Sequence, residues 1–171
     1  DLDVSVDQYL DMVSRKTGAL IECAMFMGAL IATHSLQVAS AFGRCGRLLG
    51  LAFQIRDDLL GIWGDSFSTG KATGADIARR KKSLPAIHAL GNAYGTDRVE
   101  LRRIYSQSVL SELEIQQVLQ IMDRLHTYDF CQTLAEAKKQ EAVAALQGLD
   151  LTQKSFREFQ QVAKFLVSRE H

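Results

Sequence analysis

The chain has 171 residues, 47% of them hydrophobic and 23% charged, which is material for about one soluble globular domain at roughly 150 residues each and excludes disorder. Twenty Lys and Arg cancel twenty Asp and Glu, so no net charge draws the chain to nucleic acid. One proline excludes a collagen-like chain, and three scattered cysteines form neither a disulfide framework nor a zinc motif, so a reducing, cytoplasmic setting is expected.

A secretory signal is not expected, because the first residues given are acidic and polar. The pattern predicts a first helix from about Val6 to Thr33. Tyr9, Leu10, Val13, Leu20, Ala24 and Met27 fall near a 3.6-residue period on it. Its second half, from Gly18 on, is apolar all round, which predicts a central helix with Cys23 in the core. That stretch is short for a membrane span and carries Glu22, so no span is expected. Gly18, Ala19, Ala24, Gly28 and Ala29 would let neighbours approach closely.

A second helix is predicted from Leu36 to Trp63, loosened near Gly43 and carrying the core thiol Cys45. The segment 64–74, GDSFSTGKATG, holds three glycines and four Ser/Thr and reads as a loop. A basic stretch follows, then a helix opened by Ser83 and Pro85, a start signal. Amphipathic segments are predicted over 97–106, 112–126, 129–146 and 151–168. There is no repeat and no linker, so residues 1–171 read as a single all-α domain.

Asp57 and Asp58 stand side by side in an apolar helix. Unpaired carboxylates buried there would cost several kcal/mol, so they need a cation, a polar cleft or solvent. Neighbours on a helix are about 100° apart, so at most one points straight at a common point. Two readings are open: both pair with Arg56 or another base on a solvated face, or they hold a phosphate through Mg²⁺. Lys71 in the loop, followed by Arg79, Arg80, Lys81 and Lys82, suits the second reading. Mg²⁺ takes one or two protein carboxylates with waters and phosphate oxygens, and lysines neutralise the remaining charge. The loop is no Walker A loop, since Gly64 to Gly70 is one residue too long and Ala72 follows the Lys. His34, His88 and His126 lack metal spacing, and Trp63 and Phe67 either cap this region or pack.

The order F-Q-x-x-D-D, G-D, G-K, G-x-D and a Lys five residues on, over Phe53 to Lys81, resembles the second aspartate-rich region of trans-isoprenyl diphosphate synthases. Tyr9 followed by Lys16-Thr17-Gly18 is similar to that family's Lys-Thr helix. The resemblance implies an isoprenoid-synthase-type helical bundle. It implies Mg²⁺-dependent condensation of an allylic diphosphate with isopentenyl diphosphate, giving a longer polyprenyl diphosphate of the farnesyl or geranylgeranyl type. It makes Asp57 a direct Mg²⁺ ligand and puts Asp58 on the metal through water. Lys16, Lys71 and Lys81 would bind the diphosphate, and Lys16, Thr17 and Gln54 would serve catalysis where the allylic cation forms. The partners implied are the two diphosphates and either a second copy, as a homodimer, or a chain carrying the first aspartate-rich motif.

Two departures matter. The family's D-D-x-x-D reads Asp57-Asp58-Leu59-Leu60-Gly61 here, so weaker metal binding is expected, with Gly61→Asp tolerated. Asp65 is a poor substitute for the missing carboxylate. The first aspartate-rich motif is absent, and the chain is expected to be the C-terminal half of a synthase. The alternative is a non-catalytic subunit or interaction protein that keeps the fold.

Overall fold

In a computed structural model, residues 2–64 and 73–168 are described, with the side chains of 167 and 168 left aside. All regular structure among them is helical, and no strand occurs. The helices are α1 (Val6–Val13), α2 (Ala19–Thr33), α3 (Leu36–Trp63), the short α4 (Ala75–Ala78), α5 (Leu84–Asn92), α6 (Gly95–Tyr105), α7 (Glu112–Arg124), α8 (Thr127–Ala144) and α9 (Gln153–Ser168). A π-helical segment, Ser14–Gly18, joins α1 to α2. The described residues divide into two compact units, one of residues 2–9, 57–64 and 73–132, the other of residues 10–56 and 133–168.

The first unit is built on a cluster that includes Ile62, Ile77, Leu101, Ile104 and Met122, all essentially inaccessible. Trp63 packs against it and meets Tyr128 edge to face, with ring centroids 5.3 Å apart. A reciprocal capping box opens α7, where Ser111 and Glu114 satisfy each other's backbone amides. Ser83 stands at the N-cap of α5 with Pro85 in its first turn, as the sequence predicts. The Ser83 hydroxyl makes no capping bond, however, and is buried without a partner.

The second unit is built on Cys45, Leu49, Ala142, Leu146 and Ala163, against which Phe156 and Phe159 pack. Burial in this cluster pushes the Cys45 thiol up to about 12, so it is an inert core thiol. Glycines bring two backbones together: a Cβ on Gly50 would lie 2.8 Å from Cα of Gly18, and one on Gly46 would lie 2.8 Å from the carbonyl oxygen of Ile21. Gly28 has open space around it and plays no such part. The helix is not loosened at Gly43, and α3 runs unbroken through it.

Two expectations about α2 are corrected. No residue of Ala19–Thr33 is buried, so it is not a central helix within these residues. Leu20 and Ile31 are 73% and 69% exposed, and Cys23 is an exposed thiol. The apolar pattern marks a face made for burial, and its outer side is open here. The helical run Val6–Thr33 is also longer than the apolar stretch alone, and by length and composition it suffices to cross a membrane. Glu22 within it pairs with Arg47, whose Nε donates at 2.6 Å. His34 takes a left-handed conformation, φ 52°, at the end of α2, where it closes the helix through its amide.

Candidate active site

The adjacent aspartates part company in the first unit. Asp57 is exposed and Asp58 is fully buried, the divergence that one residue of helical rotation dictates. The Asp58 carboxylate is held from several sides. Tyr9 donates its hydroxyl to Oδ2, the amide of Leu84 donates to the same oxygen at 2.8 Å, and Lys81 Nζ donates to Oδ1 at 3.1 Å. Asp58 thus supplies the cap of α5 that Ser83 does not, by satisfying its first free amide. Burial first, and then the charge of Asp58, raise the Tyr9 hydroxyl far above its ordinary value, so it stays a donor. The resemblance puts Asp58 on the metal through water, and here its oxygens also accept from donors of the protein itself.

Lys81 sits between two buried carboxylates, Asp58 and Asp76, whose Oδ2 lies 2.9 Å from Nζ. The Lys81 side chain remains 42% exposed. Burial, the largest single influence, pulls its pKa down, but the contacts with Asp76 and Asp58 together hold it above the ordinary lysine value. The backbone delivers this geometry. After α4 the amide of Lys81 bonds the carbonyl of Asp76 at 2.9 Å and that of Arg80 bonds Ile77 at 2.7 Å, the paired bonds of a Schellman turn. Arg80 takes the left-handed position there, φ 51°, which ordinarily suits glycine. Its guanidinium is tied to the carbonyl of Gln107 at 2.6 Å.

Gly61 faces this pair. A Cβ at 61 would lie 2.6 Å from Cγ of Asp76 and closer still to its Oδ2. Gly61→Asp, expected from the sequence to be tolerated, would therefore force the buried Asp76 carboxylate to shift and is expected to cost stability. The loop is entered and left through α3: Gly64 bonds the carbonyl of Leu60 at 2.9 Å, and Gly74 bonds that of Ile62 at 2.8 Å. Lys71, Asp65 and Phe67 lie outside the described residues.

In the second unit, the π-helical segment carries Lys16 and Thr17. The amide of Ala19 reaches back five residues to Ser14, the bond that defines such a turn. Lys16 is exposed. Thr17 is half-buried and donates its hydroxyl to Oε1 of Gln54 at 3.2 Å, joining two residues that the sequence reading put together.

His88 serves structure. It stacks on Phe130 with centroids 4.1 Å apart and bonds Thr127, and burial lowers its pKa. Among the described residues no three His, Cys, Asp or Glu gather in a way that could hold a metal by themselves. Exposed Asp57 fits the remaining possibility, a Mg²⁺ held by few protein oxygens together with water and phosphate. Sequence reasoning did not single out Tyr9 as a buried donor, or Asp76 as a partner of Lys81. The only written signal of the latter was the spacing of five between them.

Residues 1–122 match the family model of polyprenyl synthetases. The chain is 39% identical over 145 residues to a geranylgeranyl diphosphate synthase of Mycobacterium tuberculosis, covering 84% of this chain and 41% of the other. It is 34% identical over 171 residues to a short chain isoprenyl diphosphate synthase of Methanothermobacter thermautotrophicus, covering 99% and 51%. A crystal structure of polyprenyl synthase from Caulobacter crescentus, complexed with calcium and isoprenyl diphosphate, superposes with a TM-score of 0.90 at 27% identity, covering 100% of this chain and 52% of that one. The chain thus spans about half the length of the proteins it matches.

Proposed function

This chain belongs to the polyprenyl synthetase family, and from that premise we propose that it supplies the diphosphate-leaving half of a prenyl-transfer site. The observation that carries the proposal is Lys81: a half-exposed ammonium pinned between two buried carboxylates, beside a helix that turns Asp57 outward. The relatives named as isoprenyl diphosphate synthases, and a neighbour crystallised with calcium and isoprenyl diphosphate, support a diphosphate and a divalent cation as its ligands.

The substrates are an allylic diphosphate and isopentenyl diphosphate. The allylic C–O bond breaks and its electron pair leaves with diphosphate, the double bond of isopentenyl diphosphate attacks the allylic carbon, and the new cation passes an adjacent proton to the departed diphosphate as the C–H electrons form the product double bond. Asp57 would hold the cation, taken as Mg²⁺, which supplies charge stabilisation for the departing diphosphate when bound. Lys81 offers a fixed positive charge to the same anion, so its hydrogen bonds need no reorganisation during reaction. Lys71, outside the described residues, and Lys16 are the further diphosphate ligands that the family resemblance implies. The Thr17 hydroxyl donates to Gln54, so its oxygen keeps its lone pairs and can steady a nearby cation without being a strong nucleophile. Asp58 anchors Lys81 and α5, and its contact with the metal through water, implied by the family resemblance, is proposed beside that duty.

The test is binding of inorganic pyrophosphate with and without Mg²⁺, by calorimetry, beside prenyl transfer from an allylic diphosphate to labelled isopentenyl diphosphate. Asp57→Ala is expected to abolish the Mg²⁺-dependent part of binding and any turnover. A variant with unchanged metal dependence would overturn the assignment and put the non-catalytic reading first.

A further inference from the structure

The D-D-x-x-D pattern lacks its last carboxylate because residue 61 is glycine, yet that space is not empty. The carboxylate of Asp76, delivered by α4, occupies the volume a side chain at 61 would fill, with Cγ 2.6 Å from the position of its Cβ. Asp76 is itself buried, and its Oδ2 bonds Lys81 Nζ at 2.9 Å. The Schellman turn through left-handed Arg80 then folds the backbone of Lys81 onto the carbonyl of Asp76, so main chain and side chain of one residue grip the other twice. We propose that Asp76 is a positioning residue for Lys81, standing where the pattern would put the carboxylate of residue 61, and that Gly61 is the vacancy that admits it.

The proposal rests on the reading of Lys81 as a diphosphate ligand. It adds that two carboxylates from different helices set the direction of the ammonium. Asp58 takes one N–H and Asp76 another, and the third stays available to an incoming oxygen. An unanchored lysine on a four-carbon stem has no such fixed direction.

Relocating the carboxylate tests this. Nζ resonances of ¹⁵N-lysine-labelled protein are recorded for wild type, Asp76→Asn, Asp76→Gly, Gly61→Asp and the double variant Gly61→Asp/Asp76→Gly, with Lys81→Gln to assign the signal. Two ionised acceptors should protect the Lys81 ammonium protons from exchange. Losing one in Asp76→Asn should speed exchange about tenfold, the scale of one charge-assisted hydrogen bond. Gly61→Asp alone should lower the melting temperature through overlap. The double variant should recover both protection and melting temperature, because the carboxylate returns from the other helix into the vacated space. Protection unchanged in Asp76→Asn, or a folded double variant that exchanges like Asp76→Gly, would overturn the proposal. Adding inorganic pyrophosphate to wild type separates the two levels. A Lys81 signal that does not respond refutes the diphosphate reading and this inference with it, whereas a response with protection indifferent to Asp76 refutes the inference alone.

Discussion

Truncating Asp58 to alanine should unfold much of what truncating its neighbour leaves intact. Asp58→Ala removes the acceptor of three donors: the Tyr9 hydroxyl, the Leu84 amide and the Lys81 ammonium. Tyr9 and Leu84 are buried, and each donor left without a partner costs about 1–3 kcal/mol. Lys81 keeps Asp76 and reaches water, so it adds little. The total is about 3–5 kcal/mol, the scale seen when one member of a buried charged network is deleted, and a large share of the 5–15 kcal/mol of a typical domain, roughly speaking. Asp58→Asn keeps the shape but turns an NH₂ group toward a donor, so it should recover only part of the loss. Asp57→Ala removes an exposed carboxylate and should cost clearly less than Asp58→Ala, because water can take up any group it leaves behind. Urea unfolding followed by helical circular dichroism measures all three. Equal stabilities for Asp57→Ala and Asp58→Ala, or a loss under about 1 kcal/mol for the latter, would refute the internal role of Asp58.

Gly50→Ala should lower stability by about 1–3 kcal/mol, because the atom its Cβ meets at 2.8 Å is backbone and cannot swing aside. Gly28→Ala, in open space, should instead be neutral or gain about 0.5–1 kcal/mol from helix preference; melting temperatures that moved together would contradict the close approach. Hydrogen bonds from the Ser111 backbone, then from Gln107 and the Ser111 side chain, hold the Glu114 carboxyl at about 2 against an ordinary 4.5. Its folded value is depressed, so its contribution is present above pH 4.5 and is lost as pH falls toward 2. Glu114→Gln should flatten that part of an acid-unfolding curve, and an unchanged slope there would show that the capping box does not carry it.

Much of the fold was legible because helices need only periodicity and end signals. The run from Leu36 to Trp63, the start at Ser83-Pro85 and the amphipathic segments after residue 95 all follow from them. The site was legible as a set of residue types but not as a set of partners. Asp57 and Asp58 look alike in the sequence, and only rotation about α3 separates a carboxylate facing solvent from one facing Tyr9. Gly61 read as a missing ligand because the residue filling its space, Asp76, comes from a different helix. Ser83 sat in the correct position for a cap, but its role went to a side chain 25 positions earlier. Long-range substitution of this kind leaves no local pattern to read.

The π-helical turn at Ser14–Gly18 acts as a vernier in the ruler of the long first helix. A regular helix would carry the stripe of Tyr9 and Val13 on to Leu20, Ala24 and Met27, as periodicity suggests. One extra residue in the turn advances the phase by about 100°. The buried stripe accordingly passes from Tyr9 and Val13 to Gly18, and continues on the half-buried Ile21 and Met25, while Leu20, Ala24 and Met27 swing outward. In genetic terms the turn is equivalent to a one-codon insertion whose effect is angular rather than longitudinal. A one-residue deletion inside it would restore a regular helix and rotate every side chain beyond it, Glu22 with its Arg47 partner included, so this segment is intolerant of length changes that an ordinary surface turn would absorb.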